Sequence, residues 1–180
     1  RFDTAGPSTI LRGMEKDVIV GSPTRAHFGT DGVRGIVGET LTTDLVERLG
    51  RAATLWGGGG RVLVGRDTRG SGAELEAAVA RGISSAGGTA VLGGVLPTPA
   101  VALMADDLGL VVSASHNPAE YNGVKVFARG GHKLADADEL AIESLLGATG
   151  PGGGAVEHSA DVAARYVEHV TQHFGSDLTG

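Results

Sequence analysis

The residues best equipped for chemistry lie in one stretch, VVSASHNPAEYNGVKVF at 111–127. An apolar run at 110–112 reads as a buried strand and breaks at once into Ser115, His116, Asn117 and Pro118. In open α/β sheets, ligands bind beyond the carboxyl ends of the strands, and Ser115 stands just past such an end. A serine there can be a nucleophile, a phosphate ligand or a phosphoryl carrier. His116 beside it can donate a hydrogen bond or shuttle a proton. Asn117-Pro118 stiffens the turn. Lys125, in the next strand-like run, can reach back as a cation or, if desolvated, as an acid or base. The same residue types are also ordinary loop formers, so composition alone leaves both readings open.

Two more loops carry charge beside glycine. In GTDGVRG, 29–35, glycines flank Asp31 and Arg34. The backbone can therefore approach a ligand closely while the guanidinium forks onto a phosphate or carboxylate. A plain glycine turn with a surface arginine fits equally well. GRDTRGSG, 65–72, follows a strand and opens a helix, whose N-terminus attracts anions. There a structural reading is preferred, in which Asp67 pairs with Arg66 or Arg69 and pins the loop. The glycine run at 57–60 precedes its strand, so it is not a dinucleotide fingerprint. His27, His132, His158, His169 and His173 lack metal-ligand spacing with cysteine or a carboxylate pair. His169 and His173, four apart on a helix, read as a solvated face rather than a weak zinc site.

The elements that must position these loops follow from hydrophobic periodicity. From His27 a glycine-punctuated loop leads to a short strand near 35–38. Leu45, Val46, Leu49, Ala52, Ala53 and Trp56 recur at helical spacing, predicting a helix over 42–56. RVLVG at 61–65 reads as a strand. Ser71 and Glu74 predict a capping box opening a helix to about residue 86. TAVLGGVL is a strand. Thr98 and Pro99 predict an N-cap and first helical residue for a helix to about 108, closed by Gly109 and followed by a strand at 110–113. Asn122-Gly123 is a turn signal. A strand at 124–128 and a helix at 136–146 come next. GATGPGGGA, 147–155, is a linker by composition, and 161–174 is a final helix with Val162, Tyr166, Val167 and Val170 on one side. Strands alternating with helices predict an α/β sheet covered on both faces.

Composition sets the outer limits. The chain has 180 residues, a normal hydrophobic share of 41% and a net charge of −6. The length suits one domain, and an acidic balance gives no reason to expect nucleic acid or an anionic membrane as partner. Without cysteine there is no disulfide framework, which fits a cytoplasmic protein. No apolar run approaches the length of a membrane span. Glycine is abundant, 31 residues, which suggests many short elements with tight turns.

Taken together, FGTDGVRG, VGRDTR, PTPA, SASHNP and NGVKVF, in this order, resemble the α-D-phosphohexomutase superfamily. With GGHKL at 130–134, the wording is most similar to the bacterial phosphoglucosamine mutases. The resemblance covers about 27–175. It implies a three-layer α/β/α domain I with a central mixed sheet. Ser115 would carry the phosphoryl group and contribute to a Mg²⁺ site. His116 and Asn117 would lie in the phosphoserine loop. Lys125 would stabilise charge or transfer a proton, and Arg34 would bind and activate the phosphoryl group. Thr30, Asp31, Asn117 and Asn122 would contact substrate. The reaction would interconvert glucosamine 6-phosphate and glucosamine 1-phosphate through a 1,6-bisphosphate, supplying UDP-N-acetylglucosamine and cell-wall synthesis. Glucosamine 1,6-bisphosphate or a similar compound would serve as activator.

The sequence departs from that family in extent. Its enzymes have about four domains, and the metal loop, the sugar-recognition loop and the final phosphate-binding loop are not found here. Residues 1–26 read as a leader or added extension, 27–175 as domain I, and 176–180 as a tail or the start of an interdomain linker. The expected partners are a hexose phosphate and the remaining domains of the enzyme, and the chain alone is expected to be incomplete. An uncovered cleft face would favour self-association. A phosphomannomutase or phosphoglucomutase domain, and a non-catalytic phosphosugar-binding module, are the alternative readings.

Overall fold

The computed structural model describes residues 26–29 and 31–175. Most of the expected leader, Thr30 and the 176–180 tail lie outside the described residues. The strands are β1 (Phe28–Gly29), β2 (Gly32–Ile36), β3 (Arg61–Arg66), β4 (Thr89–Val95), β5 (Leu108–Val112), β6 (Tyr121–Ala128), β7 (His132–Lys133) and β8 (Ala155–His158). The helices are α1 (Thr43–Trp56), α2 (Gly72–Ser85), α3 (Thr98–Met104), α4 (Asp136–Ser144) and α5 (Val162–Phe174).

All strands join one sheet in the order β1-β2-β6-β5-β3-β4-β8, with β7 pairing β6 at the side. The β5-β3-β4-β8 half is parallel, and β1, β2 and β6 add antiparallel pairs. Alternation along the strands divides the core. Val62, Val64, Leu110 and Val112 face α1 and α2, where they meet Leu49, Val79 and Ile83, with Ile142 of α4 beside them. Leu63 and Val111 face the other way, onto Ala100 and Val101 of α3 and Val162 of α5. The result is a three-layer α/β/α domain with a mixed central sheet, as the periodicity and the motif wording both imply.

The helix at 43–56 forms as its spacing predicts. Thr42 Oγ1 accepts from Leu45 N at 3.2 Å, an N-cap that satisfies one free donor of the first turn. At the start of α4, Asp138 accepts from Ala135 N at 3.1 Å. The chain is tied in at its first described residues by Glu143. Its carboxylate accepts from the backbone N–H groups of Ala26, His27 and Phe28 at 2.9, 2.7 and 2.8 Å. Burial alone would raise this carboxyl's pKa, but the three N–H donors outweigh it and leave the value lowered.

Several local expectations are overturned. β2 begins inside the GTDGVRG motif, so Arg34 lies on a strand. Ser71 forms no capping box with Glu74. Its backbone is already helical, with φ −75 and ψ −9, and its Oγ accepts from Asn122 Nδ2 at 2.9 Å instead. The third helix starts one residue early and stops at Met104, because Leu108 and Gly109 pair with Val62 and Leu63 of β3. Tertiary pairing there overrides helical spacing. Asn122-Gly123 is no turn: both residues lie in β6 opposite Gly35 and Arg34. The 147–155 segment is not a free linker. Gly152 N and Gly154 N donate to Ser85 O and Ser84 O at the end of α2, and the chain then adds the edge strand β8. On α5 only Val162 is buried, while Val167 and Phe174 are exposed.

Candidate functional site

The carboxyl end of β5 delivers the serine loop. Ser115 and His116 are both exposed, and Ser115 Oγ lies 3.4 Å from His116 Nδ1. Ser115 has φ 58, and among the described residues it alone is a non-glycine in the left-handed region, where a Cβ is crowded. Its N–H donates to Ser113 Oγ at 3.1 Å, and Asn117 N donates to Ala114 O at 3.1 Å. Behind the loop stands Arg69, only 14% exposed. Its guanidinium donates to the carbonyls of Pro118 and Tyr121 through Nη1, at 2.7 and 3.0 Å. Through Nη2 it donates to those of Ser115 and Asn117, at 3.0 and 2.6 Å. Asp67 does pin an arginine, accepting from Arg69 Nε at 3.2 Å; Arg66 pairs with Glu76.

A cationic cluster is built on the neighbouring strands. Asp31 holds Arg34 Nη2 at 2.5 Å, Lys125 Nζ at 2.6 Å and Lys133 Nζ at 3.2 Å. The hydrogen bond from Lys125, opposed by partial burial and reinforced by Lys133, brings the Asp31 pKa down to about 2. Three cations converge on one carboxylate, and the carboxylates of Asp136 and Glu139 line the cleft beside it. Arg34 Nε is buried with no hydrogen-bond partner among the described residues. A cleft of about 190 Å³ opens beside Asp31, Lys125, Phe127 and Lys133.

Two glycines make this approach of strands feasible. Gly32 has φ +86, and a Cβ there would sit 2.4 Å from Val124 O. At Gly123 a Cβ would come within 2.8 Å of Arg34 Cγ and 3.1 Å of Ser113 O. The Arg34 stem thus lies across β6 beside the strand that feeds the serine loop. Asn122 is fully buried. It bonds Ser71, and its Oδ1 accepts from Gly123 N at 2.9 Å, so its side chain links the sheet to the start of α2.

Of the residues singled out by sequence, Arg34, Asp31 and Lys125 meet in one network, and Ser115, His116 and Asn117 share the loop. Among the described residues, Ser115 makes no hydrogen bond or ion pair with the Asp31 network. Thr30 lies outside the described residues. Lys133 joins unexpectedly, although GGHKL carried it in plain view. The Asp67–Arg69 pair was signalled by GRDTRGSG, but Arg69's reach to the serine loop was not, because its acceptors there are main-chain carbonyls. No group of three or more His, Cys, Asp or Glu among the described residues is placed to hold a metal. His169 and His173 stack, and His173 Nδ1 bonds the His169 carbonyl at 2.8 Å. Mg²⁺ needs several oxygen ligands, and Ser115 Oγ alone does not meet that need. No described helix is long and apolar enough to cross a membrane.

The model of phosphoglucomutase/phosphomannomutase α/β/α domain I matches residues 25–150, and the chain belongs to that family. Among its relatives is the phosphoglucosamine mutase of Thermotoga petrophila, 54% identical over 123 residues, covering 67% of this chain and 28% of that protein. The phosphoglucosamine mutase of Mycobacterium ulcerans is 48% identical over 170 residues, 85% of this chain and 38% of that protein. A solved phosphoglucomutase/phosphomannomutase family protein from Burkholderia thailandensis superposes with a TM-score of 0.69 at 33% identity, covering 78% of this chain and 34% of that one. The chain thus spans about a third of the length of such relatives.

Proposed function

We propose that the chain is the phosphoserine-carrying domain of a hexose-phosphate mutase, with glucosamine phosphate as the sugar. The observation that supports this reading is an exposed, left-handed Ser115 at the carboxyl end of β5, with Arg34 and Lys125 gathered on Asp31 from the neighbouring strands. The sugar choice is supported by the names of the relatives at 54% and 48% identity.

The chemistry asks for little covalent help from the protein. Phosphoryl transfer depends on positioning and on neutralising charge, and a phosphoserine adds about −1.5 to −2 charges. Phosphorylated Ser115 gives its phosphoryl to a free hydroxyl of the hexose monophosphate. The P–O bond to serine breaks, the bond to the sugar oxygen forms, and the hydroxyl proton passes to the serine oxygen. The reverse step, from the other phosphate of the bisphosphate, regenerates phosphoserine. Arg34 and Lys125 offset the charge, and His116 is within reach of the serine oxygen to hold its proton. Mg²⁺ would supply further charge neutralisation when bound, with Ser115 as one oxygen and the rest from outside the described residues.

Intact mass tests this. The chain is incubated with Mg²⁺ and glucosamine 1,6-bisphosphate, alone and with the C-terminal part of a phosphoglucosamine mutase relative added in trans. One phosphoryl group should be gained and should be absent in Ser115→Ala. No gain in either setting would leave a non-catalytic phosphosugar-binding module as the better reading.

A further inference from the structure

We propose that Arg69 is the positioning residue of the phosphoryl-accepting serine, setting the loop's shape from behind without touching substrate. The inference rests on the phosphoserine reading above. A guanidinium carries five N–H donors in a fixed planar fork. Here each has an acceptor: one on Asp67 and four on the loop carbonyls of 115, 117, 118 and 121. Those four carbonyls span the loop from the serine to the start of β6. Arg69 is itself held twice by Asp67, which accepts from Arg69 N at 3.0 Å as well as from Nε.

The direction of these bonds has a chemical result. A trans peptide points its C=O and the following N–H to opposite sides. With the Ser115 carbonyl turned onto Arg69, the His116 N–H points away from it, to the exposed side of the loop. Ser115 occupies a left-handed conformation that L-residues with a side chain rarely adopt, and the bond from Arg69 to its carbonyl holds it there. The clamp thus fixes both the serine's backbone and the outward amide beside it. Lysine cannot substitute, since three donors on a flexible stem cannot reach four carbonyls in this arrangement.

The test compares the wild-type chain, Arg69→Lys and Arg69→Ala, using glucosamine 1,6-bisphosphate and Mg²⁺ with the C-terminal part of a relative in trans. Ser115 phosphorylation is followed by intact mass against bisphosphate concentration, with thermal unfolding measured alongside. Arg69→Lys should remain folded and lose about 100-fold in maximal rate, the scale expected for a reacting group misplaced by about 1 Å. The half-saturating concentration should move by less than about three-fold, since no substrate contact is lost. Methylguanidine should restore part of the rate in Arg69→Ala and none in Ser115→Ala. A wild-type rate in Arg69→Lys, or a fall no larger than its unfolded fraction explains, overturns the proposal. Amide hydrogen exchange supplies a readout independent of activity. Faster exchange in Arg69→Lys confined to 113–123 supports the clamp even if the wild type takes up no phosphoryl, an outcome that sinks the phosphoserine reading instead. Unchanged exchange there overturns the clamp.

Discussion

Arg34 and Arg69 come from similar glycine-flanked motifs, GTDGVRG and GRDTRGSG, yet the structure treats them in opposite ways. Every N–H of Arg69 is matched by an acceptor of the chain itself. Arg34 shares one carboxylate with two lysines and keeps a buried Nε without a partner among the described residues. A saturated guanidinium is scaffold: it has nothing left to offer a ligand, and its removal strands acceptors of the protein. Arg34, with a donor unmatched among the described residues, is the one proposed to bind the phosphoryl group. Motif wording does not separate these roles; the acceptors around each guanidinium do.

The sharpest way to break this contrast is Arg34→Gln. In the proposed reaction it removes a charged donor, and the rate of Ser115 phosphorylation should fall by about 100- to 1,000-fold, as when one transition-state donor is lost. The unfolding midpoint should stay close to that of the wild type. A large fall in the midpoint instead would make Arg34 a second structural arginine.

Asn122→Ala probes the saturated side and should act on stability. It leaves Ser71 Oγ and the buried Gly123 N without their partner, which should cost about 1–3 kcal/mol in denaturant unfolding. A neutral result would mean that water fills the space the amide leaves and takes over its bonds.

The smallest effect expected is in acid. Asp31 has a folded pKa of about 2 against an ordinary 3.8. Because the folded value is depressed, the unfolded chain binds the proton more readily. The Asp31 contribution is therefore present in full above pH 4 and is lost as pH falls through about 2. Stability measured from pH 5 to 2 should fall less steeply in Asp31→Asn. Equal slopes would show that the three cations do not depend on this carboxylate for their placement.

The architecture was legible because the helices and parallel strands keep their periods: Leu45 to Ala53 and Val62 to Val64 bury the faces their spacing demands. Asn122-Gly123 misled, since a turn dipeptide is a local signal while a buried, fully bonded asparagine is a tertiary fact. β8 was hidden because all four of its residues are exposed, so an edge strand joined by backbone bonds leaves no apolar pattern. The serine loop and the charged residues of GTDGVRG stood out by type. Their assembly did not, since the convergence of Arg34, Lys125 and Lys133 on Asp31 depends on the pairing of β2 with β6 and of β6 with β7.

The left-handed backbone at Ser115 carries a further consequence, for how the chain responds to selection. Glycine would take φ 58 without steric conflict, whereas serine holds it at a penalty of about 1 kcal/mol. The residue proposed to carry the phosphoryl group is therefore not the one that the backbone there prefers. Directed evolution for heat tolerance alone would drift toward glycine at this position, and a library enriched that way would gain melting temperature while discarding the proposed phosphoryl carrier.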